Sequence, residues 1–246
     1  MGISNRKQTL LAPSFVALQP VGPSMLTTEM SDAYHDTIVS TLASRRTTLD
    51  AALNQLSARA APLTYVATCL VETLCSGHKV LVAGNGGSAA QAQHFAGELV
   101  GRFKRERAPY AVLSLTTDTA ILTAVANDYG YQDIFARQVL ALAQPGDMLI
   151  AFSTSGESEN LIRAAEAGQQ AHVTTVAITG DLPSRLEQCS DITVKVPLTD
   201  TPLIQELHMI VTHILCDIVE TQLSSLQDTL YDGTGSTRQT EDEWQR

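Results

Sequence analysis

The sequence predicts an α/β fold, a three-layer sandwich around a five-stranded parallel sheet with extra helices at its N-terminal side. Three observations predict it. From Lys79 onward, five short apolar runs rich in β-branched residues recur, and helical segments separate them. Strands that are apolar on both faces are typical of parallel sheets covered by helices on both sides. Turns rich in glycine or serine follow two of the runs, as expected where a strand passes into a helix.

Two helices are predicted before the sheet. From Ser31, a suitable N-cap, apolar residues such as Tyr34 and Ile38 follow helical spacing. A second helix begins near Pro62 and ends at Gly77. Because the sheet has helices of its own, we expect these two to pack on another subunit or to cap an edge of the sheet. The pattern therefore indicates an oligomer.

The remaining elements alternate along the chain. The strands are predicted at 79–84, 110–115, 147–153, 173–179 and 191–197. The helices are predicted at about 88–103, 119–126, 131–143, 158–171 and 200–226. Residues 1–30 and 227–246 lack apolar periodicity, and we expect a flexible N-terminal extension and a flexible C-terminal tail. The domain with its leading helices then covers residues 31–226.

Composition excludes some classes of function. The net charge is −10, and the most basic cluster is the short stretch Arg102–Arg107, so binding to duplex nucleic acid is not expected. No apolar run approaches the ~20 residues that span a bilayer. Cys69, Cys75 and Cys216 lie within apolar helical patterns and show no CxxC spacing, which predicts reduced, buried thiols. We therefore expect a cytoplasmic protein.

The first strand ends in a glycine-rich turn that suits an anion. Asn85, Gly86, Gly87 and Ser88 follow Gly84 directly and open a helix. The free N–H groups at the start of a helix attract anions. The spacing matches neither a dinucleotide fingerprint nor a P-loop. Taken alone, the turn could equally be a tight connection that needs glycine for its dihedral angles.

A second turn favours a phosphate ligand. Four hydroxyl residues, Ser153, Thr154, Ser155 and Ser158, follow the strand at 147–153 and precede another helix. Helix capping needs one hydroxyl, not four. Both turns lie at the carboxyl ends of parallel strands, where open α/β sheets bind ligands. The pair predicts a phosphorylated small molecule, although the carboxylates of Glu157 and Glu159 would repel a dianion unless they point away.

Acid–base and metal-ligating residues lie on two predicted helices. His94 and Glu98 are four residues apart and share a helix face. Gln205 and His213, eight residues apart, do the same on the last helix, with His208 offset from Gln205 by three. Such a mixed set of nitrogen and oxygen atoms suits a divalent ion such as zinc. The same groups could transfer protons without a metal.

Four blocks of sequence carry a resemblance to a known family. They are "GNGGSAAQAQHFAGELVGRF", "LTTDTAILTAVANDYGYQDIFARQV", "PGDMLIAFSTSGESEN" and "IQELHMIVTHILCDIVE". In this order they resemble the sugar isomerase (SIS) domain family in its phosphoheptose isomerase branch, over about residues 65–226. The resemblance implies conversion of sedoheptulose 7-phosphate to glycero-manno-heptose 7-phosphate through an enediol, by a homotetramer whose active sites lie between subunits.

The resemblance also implies a role for each matching residue. It implies one zinc ion per subunit, held by His94, Glu98, Gln205 and His213, with Glu98 as the base and His213 as the acid. Substrate contacts would come from the first turn, the "NDYG" stretch, the hydroxyl turn and the metal ligands. The residues are Asn85, Gly86, Gly87, Ser88, Glu98, Asn127, Asp128, Ser153, Thr154, Ser155, Ser158 and Gln205.

An alternative comes from a different class of function. Some members of the family are not catalytic and bind a protein partner, for example a replication initiator, or sense a phosphosugar. In such a member we expect the acid–base residues to be lost while the phosphate turn remains. Because Glu98 and His213 are both present together with both turns, an enzyme is the favoured interpretation.

Overall fold

The computed structural model describes residues 28–234, with side chains described for residues 30–225. Residues 1–27 of the predicted N-terminal extension and 235–246 of the predicted C-terminal tail lie outside the described residues. Residues 227–234, predicted as part of the tail, continue the last helix of the chain. Contacts divide the chain after Ser44 into two compact units, and the second unit contains the whole sheet. The helix α1 runs across this boundary.

The described chain alternates strands and helices in the predicted order. The strands are β1 (Val80–Gly84), β2 (Val112–Ser114), β3 (Met148–Ser153), β4 (Thr174–Thr179) and β5 (Ile192–Lys195). The helices are α1 (Thr28–Ala58), α2 (Ala61–Cys75), α3 (Gly87–Val100), α4 (Thr119–Asp128), α5 (Ala136–Leu142), α6 (Glu159–Gln170), α7 (Arg185–Gln188) and α8 (Thr201–Thr234).

The five strands form one parallel sheet in the order β2-β1-β3-β4-β5. In its register, Gly84 at the end of β1 pairs with Phe152 near the end of β3. The central strands β1 and β3 are buried at every position, as the apolar runs predict for a sheet covered on both faces. The predicted parallel α/β sheet is confirmed.

Two apolar clusters cover the two faces of the sheet. One contains Phe95 of α3, Leu70 of α2 and Leu207 of α8, all fully buried. The other contains Phe135 and Leu161 and lies on the side of α4, α5 and α6. Each fully buried aliphatic or aromatic side chain of this kind stabilises the fold by about 1.5–3 kcal/mol relative to an exposed one.

Of the two alternatives expected for the leading helices, packing at an edge of the sheet is the one that α2 follows. Val66 and Leu70 of α2 are completely buried in the core that α2 shares with the sheet and α8. The helix contacts the edge strand β5 and the helix α8. These buried apolar residues are therefore covered within the chain.

Two helix boundaries and the burial of one cysteine differ from the prediction. The helix predicted at 88–103 ends at Val100. There the N–H of Gly101 donates to the carbonyl of Gly97, and Arg107 donates to the carbonyls of Leu99 and Gly101. The helix predicted at 131–143 is a short 3₁₀ turn, Tyr131–Asp133, followed by α5. Cys75 was expected to be buried but is exposed in the last turn of α2, where the helix leaves the core.

The last helix, α8, is long and rich in apolar residues. Within the described residues, the segment Thr201–Ser225 of α8 meets the length and composition criterion for a membrane span. Core helices of proteins meet the same criterion. The buried residues Leu207, Val211 and Leu215 pack in the cluster over the sheet, so the apolar character of α8 is accounted for by the core.

Candidate active site

The two predicted ligand turns lie next to each other at one edge of the sheet. The turn 85–88 follows β1 and the turn 154–158 follows β3, and these two strands are hydrogen-bonded neighbours. From β1 the chain goes to β2 on one side, whereas β3 lies on the other side. Ligands of open parallel sheets bind in the crevice at such a reversal of strand order.

The glycines of the first turn permit close packing. Gly86 has a φ of +54° at the start of α3, a conformation that favours glycine. A Cβ on Gly87 would lie 2.5 Å from Nε2 of Gln205. The side-chain amide of Gln205 therefore rests directly on the glycine turn, and Gln91 donates from Nε2 to the backbone oxygen of Gln205 at 2.6 Å. Ser88 is buried at the start of the helix.

Two helices bring three of the predicted metal ligands together. Nε2 of His94 lies 2.9 Å from Nε2 of His213 and 3.1 Å from Oε1 of Glu98. The three ligand atoms lie within 4.8 Å of one another. His94 and Glu98 share a face of α3 because they are four residues apart, and packing of α8 against α3 brings His213 to them.

The donor set fits a divalent metal ion. Two imidazole nitrogens and one carboxylate oxygen within this distance are ligands that zinc prefers. The Glu98 side chain is 22% exposed and that of His94 is 40% exposed, so a ligand can reach the cluster from solvent. The residue Gln205, predicted as a fourth ligand, is held at Gly87 at the entrance of α3.

The hydroxyl turn gathers four hydroxyl groups at the start of α6. Ser153 accepts a hydrogen bond from the backbone N–H of Gly156 at 3.0 Å, and Ser155 accepts one from Glu157 at 3.2 Å. Both hydroxyl hydrogens thus remain available for donation to a ligand. Ser158 stands at the N-cap of α6 without a capping hydrogen bond from its side chain. Thr154 is partly exposed in the same turn.

The two carboxylates flanking this turn are engaged by arginines. Glu159 accepts hydrogen bonds from Arg185 at 2.9 Å and from Arg163 at 3.3 Å. The bond from Arg185 and then that from Arg163 lower the pKa of Glu159. Glu157 accepts from the backbone N–H of Arg185. The charge of Glu159 is therefore balanced by two guanidinium groups, whereas Glu157 is held by a backbone amide. The repulsion of a dianion considered from the sequence is thus reduced at Glu159.

Asn85 belongs to a network that sequence reasoning missed. Its Oδ1 accepts from the Tyr131 hydroxyl at 2.9 Å and from Nδ2 of Asn160 at 2.8 Å, and its Nδ2 donates to Asn160 Oδ1 at 2.9 Å. Asn160 is only 2% exposed. These residues, with Ser158 and Arg163, line a cavity of about 450 Å³. The sequence signal that was available is position, since Asn160 lies two residues after Ser158 of the hydroxyl turn.

Asn127 and Asp128 are not brought to the cluster. They lie exposed at the end of α4, where Asn127 donates to Asp128 at 2.7 Å. The hydrogen bonds among the described residues link neither of them to the first turn or to the histidines. Instead, Tyr131, just beyond them, is the residue that reaches Asn85.

His208 is a core residue. It is completely buried, and its ring lies 5.8 Å from that of Phe152. Burial lowers the pKa of His208 to about 4. The imidazole is therefore neutral at physiological pH, and His208 does not belong to the cluster of His94, Glu98 and His213.

Comparison with known proteins identifies the family and the fold. Residues 46–180 match the SIS domain family. A phosphoheptose isomerase of Trichlorobacter lovleyi is 50% identical over 160 residues, which are 65% of this chain and 82% of that protein. Among solved structures, a phosphoheptose isomerase from Francisella tularensis has a TM-score of 0.71 and 37% identity, over 76% of this chain and 98% of that one. The enzyme from Neisseria gonorrhoeae has a TM-score of 0.70 and 34% identity, over 75% and 99%.

Proposed function

This chain belongs to the sugar isomerase (SIS) domain family and, within it, to the phosphoheptose isomerases. From this premise we propose that it converts sedoheptulose 7-phosphate to glycero-manno-heptose 7-phosphate through an enediol. The observation that carries the proposal is the cluster of Glu98, His94 and His213, whose ligand atoms lie within 4.8 Å of one another. Two turns suited to a phosphosugar lie at the same edge of the sheet.

The hydroxyl turn would hold the phosphate. Ser153 and Ser155 accept hydrogen bonds from the turn's own backbone, which orients their O–H groups for donation. Ser158 and the start of α6 add a hydroxyl and free N–H groups, and a helix N-terminus favours an anion. Asn85, held by Asn160, is well placed to contact the sugar at the neighbouring turn.

Glu98 and His213 would move the protons. Isomerisation transfers a proton between adjacent carbons: the carboxylate of Glu98 takes it from C1 of the ketose, the carbonyl oxygen at C2 gains a proton from His213, and the enediol results. Loss of the C1 hydroxyl proton and return of a proton to C2 then complete the aldose. The number of electrons is conserved, so no external oxidant or reductant is required.

The same cluster fits a zinc ion. His94, Glu98 and His213 would hold it, with Gln205 as a fourth ligand from the glycine turn. Bound there, zinc supplies Lewis-acid polarisation of the sugar oxygens. The residues themselves orient the substrate, and partial burial of Glu98 limits competition from water.

We also propose a cytoplasmic homotetramer. The N-terminal part of α1, described by itself, exposes Tyr34, Ile38, Val39 and Leu42 by 52–62%. Such a run of exposed apolar residues supports burial against another copy of the chain. The four cysteines are all unpaired, which agrees with a reducing compartment.

The test is turnover of sedoheptulose 7-phosphate by the Glu98→Gln variant. We expect loss of aldose formation by about 100-fold or more, because a general base is removed while the shape of the side chain is kept. Deuterium uptake from D₂O at C2 of the product measures the proton transfer directly. Glu106→Gln, an exposed carboxylate in the loop after α3, is the matched control and should leave turnover unchanged.

Binding and metal content complete this experiment. Calorimetry should show that Glu98→Gln still binds the phosphosugar, since the hydroxyl turn is intact. Turnover should fall on chelation and return with zinc. Retained activity in Glu98→Gln would refute the assignment of the base, and absence of aldose and of exchange with the unmodified protein would refute the proposed substrate.

A further inference from the structure

A buried carboxylate on α8 has no role in the proposed reaction. Glu220 lies seven residues after His213, on nearly the same face of α8, and its side chain is 1% exposed. A carboxylate is costly to bury unless it is paired and hydrogen-bonded. Its partners therefore indicate what it is for.

Glu220 binds the loop that follows α3. Its Oε1 accepts from the backbone N–H of Phe103 at 3.0 Å, and its Oε2 accepts from Lys104 at 2.7 Å and Arg105 at 3.0 Å. Nε of Arg107, also 1% exposed at its side chain, lies 3.3 Å from Oε1. Three successive amides and a guanidinium thus surround one carboxylate, as in an anion nest.

Arg107 ties the same loop to the end of α3. Its Nη1 donates to the carbonyl oxygens of Leu99 at 2.9 Å and Gly101 at 2.8 Å, and its Nη2 donates to that of Glu98 at 2.9 Å. These are carbonyls that a helix end leaves without partners. The loop is therefore fixed at once to the helix that carries Glu98 and to the helix that carries His213.

The consequence of this anchoring is the position of the Phe103 ring. It stacks on the imidazole of His213, with ring centroids 5.5 Å apart and an interplanar angle of 29°. The imidazole of His94 lies against the same ring of His213 at 5.2 Å. His213 is thus confined between an aromatic face and a histidine.

We propose that Phe103, held in place by Glu220 and Arg107, is a positioning residue that fixes the orientation of the His213 imidazole. The inference rests on the proposed function, in which His213 acts on the substrate and ligates zinc. Phe103 acts through His213. Without the ring, the imidazole can rotate about its side-chain torsions and spends less time in the productive orientation.

The test compares Phe103→Ala, Phe103→Leu and Phe103→Tyr in the full chain. We expect the alanine and leucine variants to lose about tenfold in kcat with KM within about twofold, and about tenfold in zinc affinity, because residues that orient a ligand act at this scale. Zinc affinity is measured by competition with a chromophoric chelator on metal-stripped protein. Phe103→Tyr keeps the ring face and should restore both quantities.

The matched control is Arg105→Ala. It removes an exposed side chain of the same loop and keeps the backbone N–H that Glu220 binds. Its kcat and zinc affinity should equal those of the unmodified protein. Circular dichroism checks folding, and if Phe103→Ala does not fold, Phe103→Leu carries the test because it retains apolar volume without a ring face.

The outcomes separate this inference from the proposed function. If His213→Ala abolishes turnover while Phe103→Leu and Phe103→Ala behave as the unmodified protein, the positioning role is refuted and the proposed function stands. If His213→Ala itself retains turnover and zinc affinity, the proposed function is refuted and the inference with it. A loss of both kcat and zinc affinity in Phe103→Leu, with both restored in Phe103→Tyr, supports the proposal.

Discussion

Replacing His208 by leucine should make the protein more resistant to acid. His208 is fully buried beside Phe152, and burial lowers its pKa from the ordinary value of 6.5 to about 4. In the unfolded chain the imidazole binds a proton below pH 6.5, whereas in the folded chain it stays neutral until about pH 4. The stability that the neutral imidazole confers is therefore present above pH 6.5 and is lost as the pH falls towards 4.

The magnitude follows from the two pKa values. At about 1.4 kcal/mol for each pH unit between them, the loss approaches roughly 3 kcal/mol at pH 4. Urea unfolding of both proteins at several pH values between 7 and 4, at one protein concentration, measures it. We expect the difference in unfolding free energy, His208→Leu minus unmodified, to rise steadily as the pH falls. A difference that does not change with pH would refute the reasoning.

Two further predictions concern the glycine turn and the base of the sheet. Gly87→Ala should displace the flexible amide of Gln205, because the new Cβ would lie 2.5 Å from its Nε2; we expect zinc affinity and kcat to fall about tenfold with little change in Tm. Equal affinity in the variant would contradict the contact. Asp147→Asn should lower the unfolding free energy by about 2 kcal/mol at pH 7. Burial raises the pKa of Asp147, but hydrogen bonds from Lys79, one of them 2.6 Å from Nζ, lower it overall. The stability that the ionised Asp147 carboxylate contributes is therefore present above the ordinary pKa of the carboxyl and is lost as the pH falls below it. Urea unfolding at several pH values should show this pH-dependent part in the unmodified protein and not in Asp147→Asn.

Local patterns in the sequence were sufficient for most of the fold. The apolar runs at the positions of β1 and β3 predict buried parallel strands because a strand covered on both faces has no polar side to show. The spacing of His94 and Glu98 predicts that they share a helix face for an equally local reason. Hydroxyl residues after β3 predict an anion turn, because the start of a helix needs fewer hydroxyls than this chain supplies.

Contacts between segments that are distant in the sequence were not predicted. The Asn85–Asn160 pair joins residues 75 apart, and the Glu220–Phe103 bond joins residues 117 apart. Neither pair has a spacing that a helix or a strand would reveal. The packing of α2 was left open between two alternatives for the same reason, since its contacts with β5 and α8 join segments that are far apart in the chain.

The sequence by itself determined the alternation of elements, the two ligand turns and the residue types that can hold a phosphate or a metal ion, because these depend on interactions between near neighbours in the chain. The tertiary structure decided which of these residues meet. The strand order places β3 beside β1, and α8 packs on α3, so that His213 reaches His94 across 119 residues. Strand order and helix packing are set by the total burial of apolar surface, to which the whole chain contributes.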